Sequence, residues 1–273
     1  MKYFDAHCHI QFPQYNEDRE ELLRSMEDAG LGGIVVGVDE NSSQQAVQLV
    51  QDSTTLFAAV GLHPNNADQY SGIERFRELA ENLKVVAIGE CGLDNYRPGD
   101  VDAARPKQRE VFLEQVHLAV HLRKPLMIHA RPSKGTQDAY KDLIDLLSST
   151  KQEYGDRLTG NIHFFVGGID EARALISLDF TLSYTAVLTF THDYDEVVRY
   201  APLSHLLTET DSPYVAPAPN RGKRNDPHSV PRIVEAIAGI RGEDQEQVRV
   251  HILQNAQRVF TLPPEILDLG FAK

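Results

Sequence analysis

A chain of 273 residues with 41% hydrophobic and 25% charged side chains has the make-up of an ordinary soluble globular protein, long enough to bury a large core. Its formal charge of −13 argues against gripping nucleic acid over a broad surface, because such binding neutralises phosphates with Lys and Arg, but leaves room for a small site. The two cysteines, Cys8 and Cys91, form no Cys-x-x-Cys pair and so exclude a disulfide framework and a thiolate zinc knuckle; with no apolar signal core and no bilayer-length apolar run, a cytoplasmic protein off the membrane is the expectation.

Alternating strand and helix signals run through the chain. Tyr3 to His9 reads as a strand, Asp18 to Ala29 as a helix stopped by Gly30, and Gly33 to Val38 as a buried strand. A helix over Ser42 to Asp52, a strand over Leu56 to Leu62, a helix over Gly72 to Asn82 and a strand over Val85 to Gly89 follow. The second half repeats the pattern: helix Arg105 to Arg123, strand Pro125 to Ile128, helix Gln137 to Ser149, strand Thr159 to His163, helix Asp170 to Leu178, strand Phe180 to Ser183, helix Asp193 to Arg199 and strand Leu206 to Thr210. Helices over Val230 to Gly239 and Asp244 to Val259 close the chain. Eight strands, each followed by a helix, within this length predict a (β/α)8 TIM barrel as one domain over residues 1–273. A doubly wound open sheet is the competitor, and the G-x-G-x-x-G loop expected of it is missing.

In such a barrel the active site lies at the carboxyl ends of the strands. His7 and His9 share one face of the first strand, because side chains alternate, and two imidazoles two residues apart can chelate one ion. Glu90, His129, His163 and Asp211 fall at the ends of strands four, five, six and eight. Four imidazoles and two carboxylates are too many ligands for one tetrahedral zinc and suit a pair of divalent ions, with Glu90 able to bridge them and hold a water between. Such a site accepts zinc, manganese, nickel or magnesium, so the sequence leaves the ion open.

These motifs resemble the TatD family of metal-dependent hydrolases, over nearly the whole chain. Asp5-Ala6-His7-Cys8-His9 resembles that family's D-x-H-x-H, Gly61-Leu62-His63-Pro64 its G-x-H-P, and Ile88-Gly89-Glu90-Cys91-Gly92-Leu93-Asp94 its I-G-E-x-G-L-D. Ile128-His129-Ala130-Arg131 is similar to its I-H-x-R, and Glu209-Thr210-Asp211-Ser212-Pro213-Tyr214 to its E-T-D-x-P-Y. The resemblance implies one ion on His7, His9, Glu90 and Asp211, a second on Glu90, His129 and His163, and hydrolysis of DNA phosphodiesters, often as an exonuclease. Asn220 to Pro227 resembles its G-K-R-N-E-P with Asp226 replacing Glu. Two departures, Pro132-Ser133 after I-H-x-R and Phe164-Phe165-Val166-Gly167 where the family has C-F-S-G, alter the rim without removing a ligand.

The expected mechanism is in-line attack by water activated between the two ions, with Asp211 orienting or deprotonating the water and Glu209, on the same face, assisting, either by orienting a ligand from behind or by accepting a proton. Arg97, Arg131, Arg221, Lys223, Arg224 and His63 are the expected contacts to substrate phosphates of DNA or another phosphodiester. A metal-dependent ester or amide hydrolase, such as a D-aminoacyl-tRNA deacylase, is the alternative, and an inherited barrel serving only as a binding module is a weaker one. His117 and His121 form an H-x-x-x-H pair on a helix that should lie outside the barrel, and Cys8 should face away from the ligands. Oligomeric state is open, with a monomer as the default.

Overall fold

The computed structural model describes residues 1–97, 99 and 101–268; the last five residues of the expected 1–273 domain, 269–273, lie outside the described residues. Eight parallel strands stand in sequence order: β1 (Tyr3–Cys8), β2 (Leu31–Val36), β3 (Leu56–Val60), β4 (Val85–Asp94), β5 (Leu126–Arg131), β6 (Gly160–Ile162), β7 (Phe180–Tyr184) and β8 (Leu206–Thr208). Helices α1 (Arg19–Asp28), α2 (Glu40–Val50), α3 (Glu74–Ala80), α4 (Val101–Leu122), α5 (Asp138–Tyr154), α6 (Ile169–Ser177), α7 (Asp195–Tyr200) and α8 (Val230–Arg241) follow the strands in turn, and α9 (Gln245–Phe260) ends the fold. The (β/α)8 barrel expected from the alternation is therefore the one observed. No helix among the described residues is long and apolar enough to cross a membrane.

Closure is made just beyond β8. The amide of Asp211 donates to the His7 carbonyl at 2.9 Å, the amide of His9 donates to the Ser212 carbonyl at 2.8 Å, and Cys8 and Ser212 form a parallel bridge. Asp5 locks the same seam, accepting the Thr210 amide at 2.9 Å and the Thr210 hydroxyl at 2.5 Å. Its carboxyl is pushed up to about 8, chiefly because burial disfavours its charged form.

Alternate strand residues divide the core. Phe4, Ala6, Ile34, Val36, Phe57, Ala59, Ala87, Met127 and Leu207 form one cluster, joined by Leu253, Ala256 and Phe260 of α9, with the Phe4 and Phe260 rings 6.3 Å apart. The opposite set, including Val35, Ala58, Val60, Ile88, Ile128, Ile162 and Leu182, packs among helix residues such as Val47, Val116 and Leu147. Period-two burial thus places one face inside the barrel and the other under the helices.

Two element bounds differ from the sequence reading in a way that matters for the site. β4 was expected to stop at Gly89, leaving Glu90 at its end, but the strand continues to Asp94, with the register to β5 shifting between Ile88 and Cys91. Gly92 serves close approach: a Cβ there would lie 2.0 Å from the His129 carbonyl oxygen, and its φ is +141°. α4 begins at Val101 and not at Arg105, taking Pro106 inside the helix. His117 and His121 are exposed on α4, as expected of a helix outside the strands.

Candidate metal centre

Glu90 is the hub of the carboxyl rim. Its Oε2 lies 3.5 Å from His7 Nε2 and 3.8 Å from His9 Nε2, whereas its Oε1 lies 2.9 Å from His129 Nδ1 and 3.4 Å from His163 Nε2. The two oxygens of one carboxylate therefore face two different sets of imidazoles, and Oε1 also has His63 Nε2 at 3.4 Å. Asp211 joins the first pair, with Oδ1 3.5 Å from His9 Nε2 and 3.9 Å from His7 Nε2. His7 and His9 bring their Nε2 atoms within 3.1 Å, and the His7 and His163 rings stack at 3.7 Å between centroids.

The donor sets fit divalent ions. Bonds of about 2.1 Å to nitrogen and oxygen imply edges of roughly 3.0–3.4 Å between neighbouring ligands in tetrahedral or octahedral geometry. The separations within His7, His9, Glu90 and Asp211, 3.1 to 3.9 Å, and those of 2.9 and 3.4 Å from Glu90 Oε1 to His129 and His163, lie close to those edges. His7, His9 and Asp211 form one group able to hold an ion, and His7, Glu90 and His163 another.

Hydrogen bonds behind the imidazoles decide which nitrogen offers a lone pair. His9 Nδ1 meets the Val36 carbonyl at 2.8 Å, and a carbonyl only accepts, so Nδ1 carries the proton and Nε2 is free to ligate. His163 Nδ1 donates to Glu209 Oε1 at 2.9 Å, again freeing Nε2. His7 Nδ1 is buried with no partner among the described residues, so nothing behind that ring fixes its tautomer.

Glu209 was expected either to orient a ligand from behind or to accept a proton. Both of its oxygens are occupied by donors: Oε1 accepts from His163 Nδ1 and from the Phe164 amide at 2.6 Å, and Oε2 accepts the Ser183 hydroxyl at 2.5 Å. Ser183 in turn accepts from Asn161 Nδ2 at 2.7 Å, and Asn161 Oδ1 accepts the Thr181 hydroxyl at 3.0 Å. Glu209 thus holds His163 from behind, through a polar chain running down the barrel interior. Ser183 and Asn161 gave no sequence signal, being ordinary small polar residues in strands.

Electrostatics favour the cation-binding state of both acids. Burial alone would raise the Glu90 carboxyl, but the imidazoles of His63 and His163 outweigh it and hold it well below the ordinary range. Asp211 is likewise lowered against its burial by His9, His163 and His7. Asp211 has φ of 51° and Phe164 beside His163 has φ of 45°, so the backbone adopts the left-handed region at two points of the rim.

A cavity of about 610 Å³ opens over these residues, lined by His9, His63, Glu90, His129, His163 and Asp211 together with Arg97, Arg131, Phe12 and Tyr214. Arg131 stacks on Tyr96 at 4.2 Å. A neighbouring cavity of about 560 Å³, sharing Tyr214 and Val215, contains Arg221, Lys223 and Phe190, with the Arg221 guanidinium 4.1 Å above the Phe190 ring. Arg224 also lines this cavity, and its guanidinium pairs with both oxygens of Asp18 at 2.5 and 2.7 Å and lies over Tyr15 at 4.6 Å. Cys8 faces away, its Sγ donating to the Ile34 carbonyl at 3.3 Å, and burial raises its thiol well above the usual value.

A parallel barrel carrying this donor cluster at its carboxyl rim has the architecture of a metal-dependent hydrolase. The model of the TatD related DNase family matches residues 4–261. The metal-dependent hydrolase YabD of Bacillus subtilis is 34% identical over 267 residues, covering 95% of this chain and 99% of that protein. The 3'-5' ssDNA/RNA exonuclease TatD of Erwinia billingiae is 31% identical over 273 residues, covering 95% and 99%. Among solved structures, YJJV, a TatD homologue from Escherichia coli K12, superposes with a TM-score of 0.85 at 26% identity, covering 96% of this chain and 99% of that one. The chain belongs to the TatD family of metal-dependent hydrolases.

Proposed function

We propose that the protein hydrolyses phosphodiester bonds of single-stranded nucleic acid, using two divalent ions held by the rim. The observation that carries this reading is Glu90, whose two oxygens face separate sets of imidazoles 2.9 to 3.8 Å away. His7, His9, Glu90 and Asp211 would hold one ion, and Glu90, His129 and His163 the other. When bound, such ions supply positive charge against a developing phosphorane and lower the pKa of a coordinated water. The chain's own groups do the rest. Asp211, the more exposed of the two acids at 15% of its side chain, accepts the proton of the attacking water. Glu209 fixes His163, and the low-dielectric wall of the barrel strengthens every charge interaction inside.

A nucleic-acid substrate is supported by the cavity wall and by the exonuclease relative. Arg97 and Arg131 flank the acids with fixed positive charge suited to phosphate oxygens, while Phe12 and Tyr214 offer ring faces on which unpaired bases stack. Arg221 and Lys223 extend the positive lining into the adjoining cavity. The local charge is favourable where the net charge of −13 is not.

The test strips the protein with a chelator and reloads it with zinc, manganese, nickel or magnesium in turn. Each form is assayed on 5'-labelled single-stranded DNA and RNA, on a small phosphodiester reporter and on mischarged tRNA. Metal-dependent shortening of the labelled strand is the expected result. Cleavage of the aminoacyl ester alone, with both nucleic acids intact, would replace the phosphodiesterase reading by the deacylase one.

A further inference from the structure

A third group, His63, Asp94 and His129, is also close enough to hold an ion. Its hydrogen bonds assign it different work. The Asn65 amide donates to His63 Nδ1 at 3.1 Å, and an imidazole that accepts at Nδ1 carries its proton on Nε2. That Nε2 lies 3.4 Å from Glu90 Oε1, so His63 turns a donor toward the cavity where a ligand would need a lone pair.

His129 carries its proton on the same nitrogen but is turned the other way. Asp94 is fully buried, and both oxygens of its carboxylate face donors. Its Oδ1 accepts the Tyr96 and Arg97 amides at 2.9 and 3.0 Å, and its Oδ2 accepts Asn65 Nδ2 at 3.1 Å. With both oxygens accepting, the contact of 3.2 Å from Oδ2 to His129 Nε2 is made by a proton on Nε2. Nδ1 is then free on the side facing Glu90 Oε1, 2.9 Å away.

The position of Asp94 is rigidly built. Gln108 of α4 clamps its backbone, accepting the Asp94 amide at Oε1 and donating from Nε2 to the Asp94 carbonyl, both at 3.0 Å. The extension of β4 sets Asp94 beside Arg131, two residues past the Gly92 and His129 pair.

We propose that Asn65 and Asp94 are positioning residues that impose the same Nε2–H tautomer on two neighbouring imidazoles turned in opposite senses. His129 is presented as a ligand through Nδ1, His63 is presented as a fixed Nε2–H donor to the substrate, and the group of His63, Asp94 and His129 holds no ion of its own. The assignment rests on the two-ion reading above.

The test uses the intact protein, uniformly labelled with ¹⁵N at histidine, stripped and then titrated with zinc against a competing chelator. Wild type is expected to bind two ions, and long-range ¹H–¹⁵N spectra of the loaded form should show Nε2–H for both His63 and His129. Asp94→Asn, whose amide can turn a donor toward His129, is expected to weaken one of the two zinc sites by about 10- to 100-fold, leave the other within about twofold, and leave the His63 signature in place. A role in folding alone would weaken both sites together. A third ion in wild type, an Nδ1–H tautomer at His63, or two wild-type zinc affinities in Asp94→Asn would overturn the proposal. Should Asp94→Asn fail to fold, the wild-type spectrum and stoichiometry decide it. Loss of the hydrolase reading would appear separately, as zinc-loaded wild type that cleaves no diester while the tautomers stand as assigned.

Discussion

The carboxylate of Glu209 lies 2.9 Å from Nδ1 of His163, at the top of a polar chain that descends through Ser183 and Asn161 to Thr181. The acid just before Asp211 on the same face is thus turned away from the cavity. Glu209→Ala leaves a buried imidazole N–H and the Phe164 amide without their acceptor, and kcat/KM is expected to fall about 10- to 100-fold with weakened metal binding. Glu209→Gln keeps one oxygen for those donors, and the Ser183 hydroxyl can rotate to accept from the new amide. It should retain activity within about tenfold of wild type in the same steady-state assay. Equal losses in both variants would mean that the charge of Glu209, and not its geometry, is what the site requires.

Asp211→Asn is expected to fold and to lower turnover at least about a hundredfold. Asparagine tolerates the left-handed backbone at φ of 51° nearly as well as aspartate, and the amide of residue 211 keeps its bond to the His7 carbonyl. Circular dichroism checks the fold and single-turnover kinetics check the rate. Undiminished turnover would remove Asp211 from the mechanism.

Much of this site was legible in the sequence because barrel topology converts strand ends into neighbours. His7, His9, Glu90, His129, His163 and Asp211 were placed at one rim from their positions alone, and the structure brings their ligating atoms together. What the sequence hid is the layer behind them. Asn65, Gln108, Asn161 and Ser183 act through pairs far apart in the chain, which no local pattern reports. Asp94 was read only as the end of a motif, with β4 expected to stop at Gly89. The need for Gly92 beside the His129 carbonyl was the available signal that the strand continued. Arg224 lines the outer cavity together with Arg221 and Lys223, as its place in the sequence suggested, but its pairing with Asp18, 206 residues away, is a contact that no local pattern reports.

Arg221→Ala is therefore expected to raise KM for a single-stranded oligonucleotide several-fold, because it removes a cation that faces the outer cavity across Phe190. Arg224→Ala breaks an ion pair at the surface and a ring contact, and should lower stability by about 1 kcal/mol or less. Comparison of KM and Tm for the two variants separates the roles, and an equal rise in KM would return Arg224 to the substrate path.

Acid sensitivity is expected at the loop before α5. Burial would raise the Asp138 carboxyl, but the amide and hydroxyl of Ser133 and the Thr136 hydroxyl outweigh it and hold it at about 2. A carboxyl depressed in the folded state binds fewer protons there than in the unfolded chain. Its contribution is therefore complete above the unfolded value near 4 and is lost as pH falls through about 2. Asp138→Asn should lower Tm at pH 7 by a few degrees, about 1 kcal/mol after allowance for partial exposure, with the difference vanishing toward pH 2. A gap in Tm that persists unchanged at the acid end would assign the effect to lost packing instead.

The seam that joins Cys8 to Ser212 brings the start of the polypeptide against a segment made some two hundred residues later. A ribosome-bound chain that has not yet released its eighth strand would own both first-strand imidazoles and lack the aspartate that completes their cage. The cage of His7, His9 and Asp211 would then close only when the eighth strand docks, as a seal on the cylinder and not a seed for its growth.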